Sequence, residues 1–317
     1  MPKTPDGIRG GIITGWGTAL PPKVLTNYDL EQMFETSHDW IVDRTGIHQR
    51  HVGGTTTDLS VESGRKALHM SGIDPATVDA VVLATTTPDR VVPASAPGGA
   101  NELGLKCGAF DVNAACSGFM YGLVMTHGLI AMGARNVLCI GTDTLARITD
   151  WTDRNTAILF ADGSGAVVVE ACDGPGQMLG WDLDADGSAE RFLYSEIGGT
   201  IQMEGKEVFR RAVRIMVDSA TKSMRHAGVT ADDIALVVPH QANIRIINAA
   251  CERLGFPVEK RVTVLHNTGN TSSASVPLAL CAALDAGRAK AGDLVLLVGF
   301  GAGMTAASAV LRWGGGA

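Results

Sequence analysis

Three residues from separate parts of the chain are of types that can carry nucleophilic chemistry. Cys116 stands in AFDVNAACSGFMYGL (109–123), where a short strand pattern runs into a helical one. Unpaired backbone N–H groups and the helix dipole favour a thiolate at such a turn, so a nucleophile with a lowered pKa is expected there. Position alone leaves a second reading open, a small core cysteine packed among Ala114, Ala115 and Gly118. His240 is the histidine that ends an apolar strand pattern (VVPHQAN) and precedes a helix, which suits catalysis as well as a structural role. Asn270, in VLHNTGNTSSASVPLAL (264–280), is either the cap of the apolar helix that follows or a side-chain amide donor. GFGAGMT (299–305) superficially resembles a dinucleotide loop, but TAASAVLRW follows it as a strand pattern rather than a helix. It reads as a tight turn whose backbone N–H groups approach a substrate, one half of an oxyanion hole.

These residues need elements to hold them. Continuous apolar runs at 79–87, 135–143, 165–171, 234–240 and 293–301 fit strands buried on both faces. Helical patterns at 58–72, 116–133, 207–228, 242–255 and 273–287 alternate with them, so the class is α/β. The chain also matches itself. KALHMSGIDPATVDAVVLATT (66–86) aligns with KSMRHAGVTADDIALVVPHQA (222–242), placing Gly72 opposite Gly228, and VLCIGTDT (137–144) aligns with LLVGFGAG (296–303), placing Gly141 opposite Gly299. A duplicated α/β unit follows, with halves at 1–175 and 176–317 and a turn-rich boundary near 172–185. Corresponding strand ends of two related halves can face one crevice, so a cysteine from the first half can meet partners from the second.

Composition narrows the function classes. A chain of 317 residues with 45% hydrophobic and 19% charged residues is that of a compact enzyme. A formal net charge of -7 argues against broad nucleic-acid binding. The opening MPKTPDGIRG is polar, and no apolar run reaches bilayer-spanning length, so a cytoplasmic protein without membrane contact is expected. Cysteines at 107, 116, 139, 172, 251 and 281 form no C-x-x-C pair, so free thiols and no structural metal are expected.

Taken in order, DWIVDRTGIHQRH (39–51), FDVNAACSGF (110–119), FADGSGA (160–166), PHQANIRI (239–246), GNTSSAS (269–275) and GFGAG (299–303) resemble the β-ketoacyl-[acyl-carrier-protein] synthase III family over nearly the whole chain. The resemblance implies a thiolase-like fold of two duplicated βαβαβαββ halves in a five-layered αβαβα arrangement, a homodimer, and a Cys116, His240, Asn270 triad. It implies that the cysteine takes an acyl group from acyl-CoA, and that malonyl-acyl carrier protein then decarboxylates and condenses with it. No cofactor is needed beyond the CoA thioester substrates. His240 Nε2 and the Asn270 amide would stabilise the enolate, and the backbone N–H groups of Cys116 and Ala302 the second oxyanion.

Family positions for the CoA and pantetheine tunnel fall on Trp40, Arg44, Arg154, Gly205, Phe209, Ala242 and Asn243, with Trp40 and Arg154 bracketing an adenine. An acidic carrier would dock on Lys206, Arg210 and Arg214, spaced four apart near Arg211, extended by Arg245 and Arg253. Val92 lies where some relatives carry a phenylalanine that crosses the dimer interface, so primers longer than acetyl are expected. A polyketide starter enzyme, an acyltransferase that skips decarboxylation and a silent acyl-binding subunit are the rival readings; the last would be expected to lack Cys116.

Overall fold

The computed structural model describes residues 9–314; most of the polar opening segment lies outside them. β1 (Gly10–Ala19) leads through β2 (Val24–Thr26), α1 (Asn27–Leu30), α2 (His38–Thr45) and β3 (Gln49–His51) to α3 (Thr56–Ser71). β4 (Val78–Ala84), α4 (Ser95–Glu102), β5 (Gly108–Val112), α5 (Gly118–Ala131), β6 (Asn136–Thr144), α6 (Arg154–Ala157) and β7 (Asp162–Cys172) follow. After β8 (Met178–Asp184) come β9 (Leu193–Tyr194), β10 (Gln202–Met203), α7 (Gly205–Ala227), β11 (Ile234–Pro239), α8 (Ile244–Arg253), α9 (Leu265–Thr268), α10 (Ser275–Asp285), β12 (Leu294–Gly301) and β13 (Thr305–Arg312).

The two main sheets repeat one topology. The first runs β1-β7-β6-β4-β5, and the second, taken from its other edge, runs β8-β13-β12-β11. In each, the first three strands pair antiparallel with their neighbours and the fourth joins in parallel. A parallel bridge between Val237 and Arg261 stands where the second sheet would otherwise have its fifth strand. The glycines matched in the sequence are equivalent: Gly72 and Gly228 end α3 and α7 in the left-handed region, at φ of 70° and 71°. Helices α3 and α4 cover the first sheet, α5 and α10 lie between the sheets, and α7 and α8 cover the second, giving the five layers.

Strand β8 corrects the sequence reading, which put turns over 172–185. The turns occupy only the start of that stretch, because Gly180 and Asp182 face α7 and Met178 packs into the core between the sheets. Strand β1 was also not expected, since GGIITGWGTA is too rich in glycine to score as a strand. Its glycines serve packing: a Cβ on Gly15 would lie 2.2 Å from the Ala67 carbonyl oxygen of α3. Gly180 does the same in the second half, where a Cβ would lie 2.5 Å from the Ala227 nitrogen of α7.

The halves are joined by a buried carboxylate. Asp143, at the end of β6, has no solvent exposure. Its Oδ1 accepts from Thr85 Oγ1 and from the backbone and hydroxyls of Thr86 and Thr87, all in the first half. Its Oδ2 accepts from Ser273 N at 3.0 Å and Ser273 Oγ at 2.6 Å, in the second. Asp143→Asn puts an amide NH2 against these donors and strands at least one of them, so it should lower stability by about 2 kcal/mol or more. A urea midpoint equal to that of the wild type would contradict this.

Candidate active site

Cys116 sits in a short 3-10 turn, Ala115–Ser117, between β5 and α5. The turn is tight: Ala115 has φ of +49°, and its N–H donates to Asn113 Oδ1 at 3.2 Å. A non-glycine residue in this region is strained, and the strain points the following cysteine into a crevice rather than along the helix. Facing it is the turn after β12. A Cβ on Gly301 would lie 2.6 Å from the Cys116 nitrogen, so only glycine lets the 301–303 turn approach that backbone. Gly303 and Met304 take the left-handed region of this turn, with φ of 69° and 44°, while Ala302 lies outside it. Alanine at position 302 therefore needs no unusual φ.

His240 follows β11, and its N–H donates to Val298 O at 2.8 Å. The neighbouring Gln241 side chain braces the segment: Nε2 donates to Pro239 O and Val262 O, and Oε1 accepts from Val264 N and Leu265 N. Nδ1 of His240 lies 2.5 Å from Ser275 Oγ, and Phe300 packs edge-on with ring centroids 5.4 Å apart. Asn270 belongs to the second half but is held by the first. Its N–H donates to Leu159 O and its carbonyl accepts from Ala161 N, both at 2.9 Å. Its side-chain Oδ1 accepts from Ser272 N at 3.0 Å. That bond fixes the amide orientation and leaves Nδ2 to donate into the site.

Cys116, His240 and Asn270 line one cavity of about 130 Å³, which they share with Phe209, Ala242 and Phe300. Through Leu159, Gly205, Phe209 and Asn243 it continues outward to a mouth of about 620 Å³ rimmed by Trp40, Arg44, Lys206 and Arg245. Through Cys116, Phe160 and Leu193 it continues past the cysteine to an open pocket of about 450 Å³, lined by Leu145, Ile148, Ile201 and Ala302 and rimmed by the exposed Asn113, Glu190, Tyr194 and Ser195. The cysteine thus stands at the waist of a passage. A chain entering from the mouth meets the thiol, and a group attached to the thiol has room beyond it.

Burial governs the electrostatics. It pushes the Cys116 thiol up to about 12; the Ser272 hydroxyl acts in the lowering direction and the nearby Asp143 charge raises it further. The lowered pKa expected from the helix start is therefore not what the structure gives, because desolvation of the thiolate outweighs the favourable end of α5. Burial also pushes His240 down to about 3, so its imidazole is neutral at physiological pH. The resting site carries neither a thiolate nor an imidazolium, so its polar groups face the cavity as oriented dipoles.

The other expected positions fall as follows. Gly205, Phe209, Ala242 and Asn243 line the passage, and Trp40 and Arg44 its mouth. The guanidinium carbons of Arg44 and Arg154 lie 4.5 and 4.8 Å from the Trp40 ring centroid. Arg154 thus already occupies the stacking position, and an adenine bracketed by Trp40 and Arg154 must part that contact. Among the expected docking cations, Lys206 and Arg245 reach the mouth. Arg210 is exposed but paired with Glu207 at 2.7 Å, and Arg253 is exposed at the end of α8. Arg214 lines a separate cleft with Asp182, Asp184 and Lys222, away from the mouth. Val92 is 81% exposed and lines none of the three cavities of its own chain. Sequence reasoning missed Asp143, Ser272 and Ser275 individually. The last two lie within GNTSSAS, but nothing in the string separates them from ordinary cap and turn residues.

Comparison with known proteins agrees with this geometry. Residues 110–187 match the family described as 3-oxoacyl-[acyl-carrier-protein (ACP)] synthase III, and residues 224–313 match its C-terminal counterpart. A β-ketoacyl-[acyl-carrier-protein] synthase III of Roseiflexus sp. (strain RS-1) is 47% identical, with 95% of this chain and 98% of the relative covered. The β-ketoacyl-[acyl-carrier-protein] synthase III 1 of Bacillus cereus is 46% identical over the same shares. The crystal structure of 3-oxoacyl-[acyl-carrier-protein] synthase III from Aquifex aeolicus VF5 superposes with a TM-score of 0.94 at 42% identity, covering 96% of this chain and all of that one. A cysteine at the waist of a two-ended passage, with a neutral histidine and an oriented asparagine beside it, is here joined to near full-length similarity, and the chain belongs to the β-ketoacyl-[acyl-carrier-protein] synthase III family of condensing acyltransferases.

Proposed function

We propose that this enzyme primes fatty acid synthesis in the cytoplasm by condensing an acyl-CoA primer with malonyl-acyl carrier protein at Cys116. The convergence of Cys116, His240 and Asn270 on one cavity carries the reading. In the first half-reaction the thiol attacks the acyl-CoA carbonyl, a thioester forms on Cys116, and CoA leaves as its thiol with the proton the cysteine has given up. Backbone N–H groups of Cys116 and Ala302 face the oxyanion of this step, which the close approach at Gly301 supports. In the second, the malonyl thioester loses CO2, and the electron pair of the broken bond becomes an enolate. Donors at His240 Nε2 and Asn270 Nδ2 stabilise its oxygen, and its carbon attacks acyl-Cys116. The tetrahedral adduct then collapses to 3-oxoacyl-carrier protein and expels the cysteine sulfur, which takes up a proton.

The arms of the two substrates enter by the same passage, with Lys206 and Arg245 at the mouth suited to phosphates. The pocket of about 450 Å³ beyond Cys116 is open at its rim and has more room than an acetyl group needs. It supports primers longer than acetyl.

A second copy of the chain completes the assembly in this reading. Strand β5 is an edge strand, and Met125, Met132, Val91 and Val92 are exposed apolar residues that a partner would cover. Val92 would then approach the partner's site rather than its own. Sedimentation at the mass of one chain would contradict the dimer.

Incubation with an acyl-CoA panel should give acyl-Cys116 by intact mass, with chains beyond two carbons accepted, and addition of malonyl-carrier protein should give the 3-oxoacyl product. Acylation without that product would point instead to simple acyl transfer, and strict preference for acetyl-CoA would refute the longer primer. Cys116→Ala should abolish condensation yet keep part of the malonyl decarboxylation, because the enolate donors remain; equal loss of both contradicts the division of roles. Alkylation of Cys116 by iodoacetamide should accelerate about tenfold per pH unit from pH 6 to 9, as the thiolate fraction of a group with a raised pKa does. A plateau near neutral pH would show a depressed value.

A further inference from the structure

The enolate step needs a proton on His240 Nε2, yet a neutral imidazole carries its single N–H on either nitrogen, and only the surroundings select which. The contact that selects here is with Ser275, the first residue of α10, whose side chain is 1% exposed. Its Oγ lies 2.5 Å from His240 Nδ1 and accepts the Gln241 N–H at 3.3 Å. No other hydrogen bond of this hydroxyl occurs among the described residues. A hydroxyl has one proton to give, and in this surrounding the only acceptor it reaches is Nδ1. Were Nδ1 the protonated nitrogen, it and Gln241 N–H would both donate to Oγ, and the serine proton would be buried with no acceptor.

We propose that Ser275 is a positioning residue that donates its hydroxyl proton to His240 Nδ1 and so holds the imidazole as the Nε2–H tautomer that the enolate step requires. The inference deepens the condensation reading and rests on it for the use of that proton. It also separates the half-reactions. An imidazole with its proton on Nε2 cannot accept one there, so His240 is not the base that deprotonates Cys116. The ring has little freedom to compensate: its backbone is tied to Val298, Gln241 is held through both ends of its amide, and Phe300 meets the ring at an interplanar angle of 72°.

The test compares wild type, Ser275→Ala and Ser275→Thr in the full-length protein. Nitrogen-15 spectra of histidine-labelled wild type should show His240 with a bare Nδ1 and a protonated Nε2. Ser275→Ala, a smaller residue compatible with a helix start, should shift the ring toward a mixture of tautomers. Its kcat for condensation should fall about 10- to 100-fold, less than the roughly 100- to 1000-fold for losing one oriented donor outright because part of the tautomer mixture keeps the Nε2 proton, while single-turnover acylation of Cys116 falls far less. Ser275→Thr, which restores the hydroxyl, should recover the wild-type spectrum and most of the rate. A protonated Nδ1 in the wild type overturns the proposal, as does Ser275→Ala condensing at the wild-type rate or losing both half-reactions equally. A wild type that yields no 3-oxoacyl product would defeat the condensation reading instead, and the spectrum would still decide the tautomer.

Discussion

The active site depends on one buried carboxylate that belongs to neither the nucleophile nor its partners. Asp143 gathers the Thr85–Thr87 loop of the first half on one oxygen and Ser273 of the second half on the other. Ser273 stands in the same short loop as Asn270 and Ser272, and two residues before Ser275. Holding that loop against the end of β6 places the amide of Asn270, the hydroxyl beside Cys116 and the serine beside His240 at once. Backbone pairing of Asn270 with Leu159 and Ala161 fastens the same loop from its other side. Such a network is stabilising because every donor in it has an acceptor; a carboxylate left without them in this interior would be costly.

The same burial shapes the chemistry. Cys116 and His240 are buried, so charge on either is disfavoured, and both rest neutral. In such an interior a hydrogen-bond donor aimed at a developing oxyanion is stronger than it would be in water. The site therefore works by direction: Ser272 turns Asn270, Ser275 turns His240, and the strained turn at Ala115 turns Cys116. Each is a short-range contact within a loop, fixed by the packing of strands that end at the crevice.

Duplication explains why the crevice exists. Two sheets of the same topology present their strand ends to a common space, with α5 and α10 between them. Glycines at equivalent places, Gly15 under α3 and Gly180 under α7, let each covering helix approach its own sheet closely. The halves then diverge at the crevice: the first places Cys116 before a central helix, and the second places His240 after β11 and Asn270 before α10.

Much of this was legible in the residues. The apolar runs and the self-alignment located β4, β6, β7, β11 and β12 and the long helices to within a few positions, because buried strands and amphipathic helices leave strong periodic patterns. The ordered motifs named Cys116, His240, Asn270 and most of the passage. Strands β1 and β8 escaped, since glycine and aspartate at their inward positions weaken a strand pattern and acquire meaning only when a helix lies across them. The raised pKa of Cys116 escaped too: a helix start is visible in sequence, whereas desolvation is a property of everything that surrounds the thiol. For the same reason Asp143 and Ser275 gained roles only in three dimensions, where residues 58 and 35 positions from their partners come within hydrogen-bonding reach. Residue types and order determined which reaction is possible; the closing of two halves over a buried crevice decided which protons, dipoles and orientations are available to it.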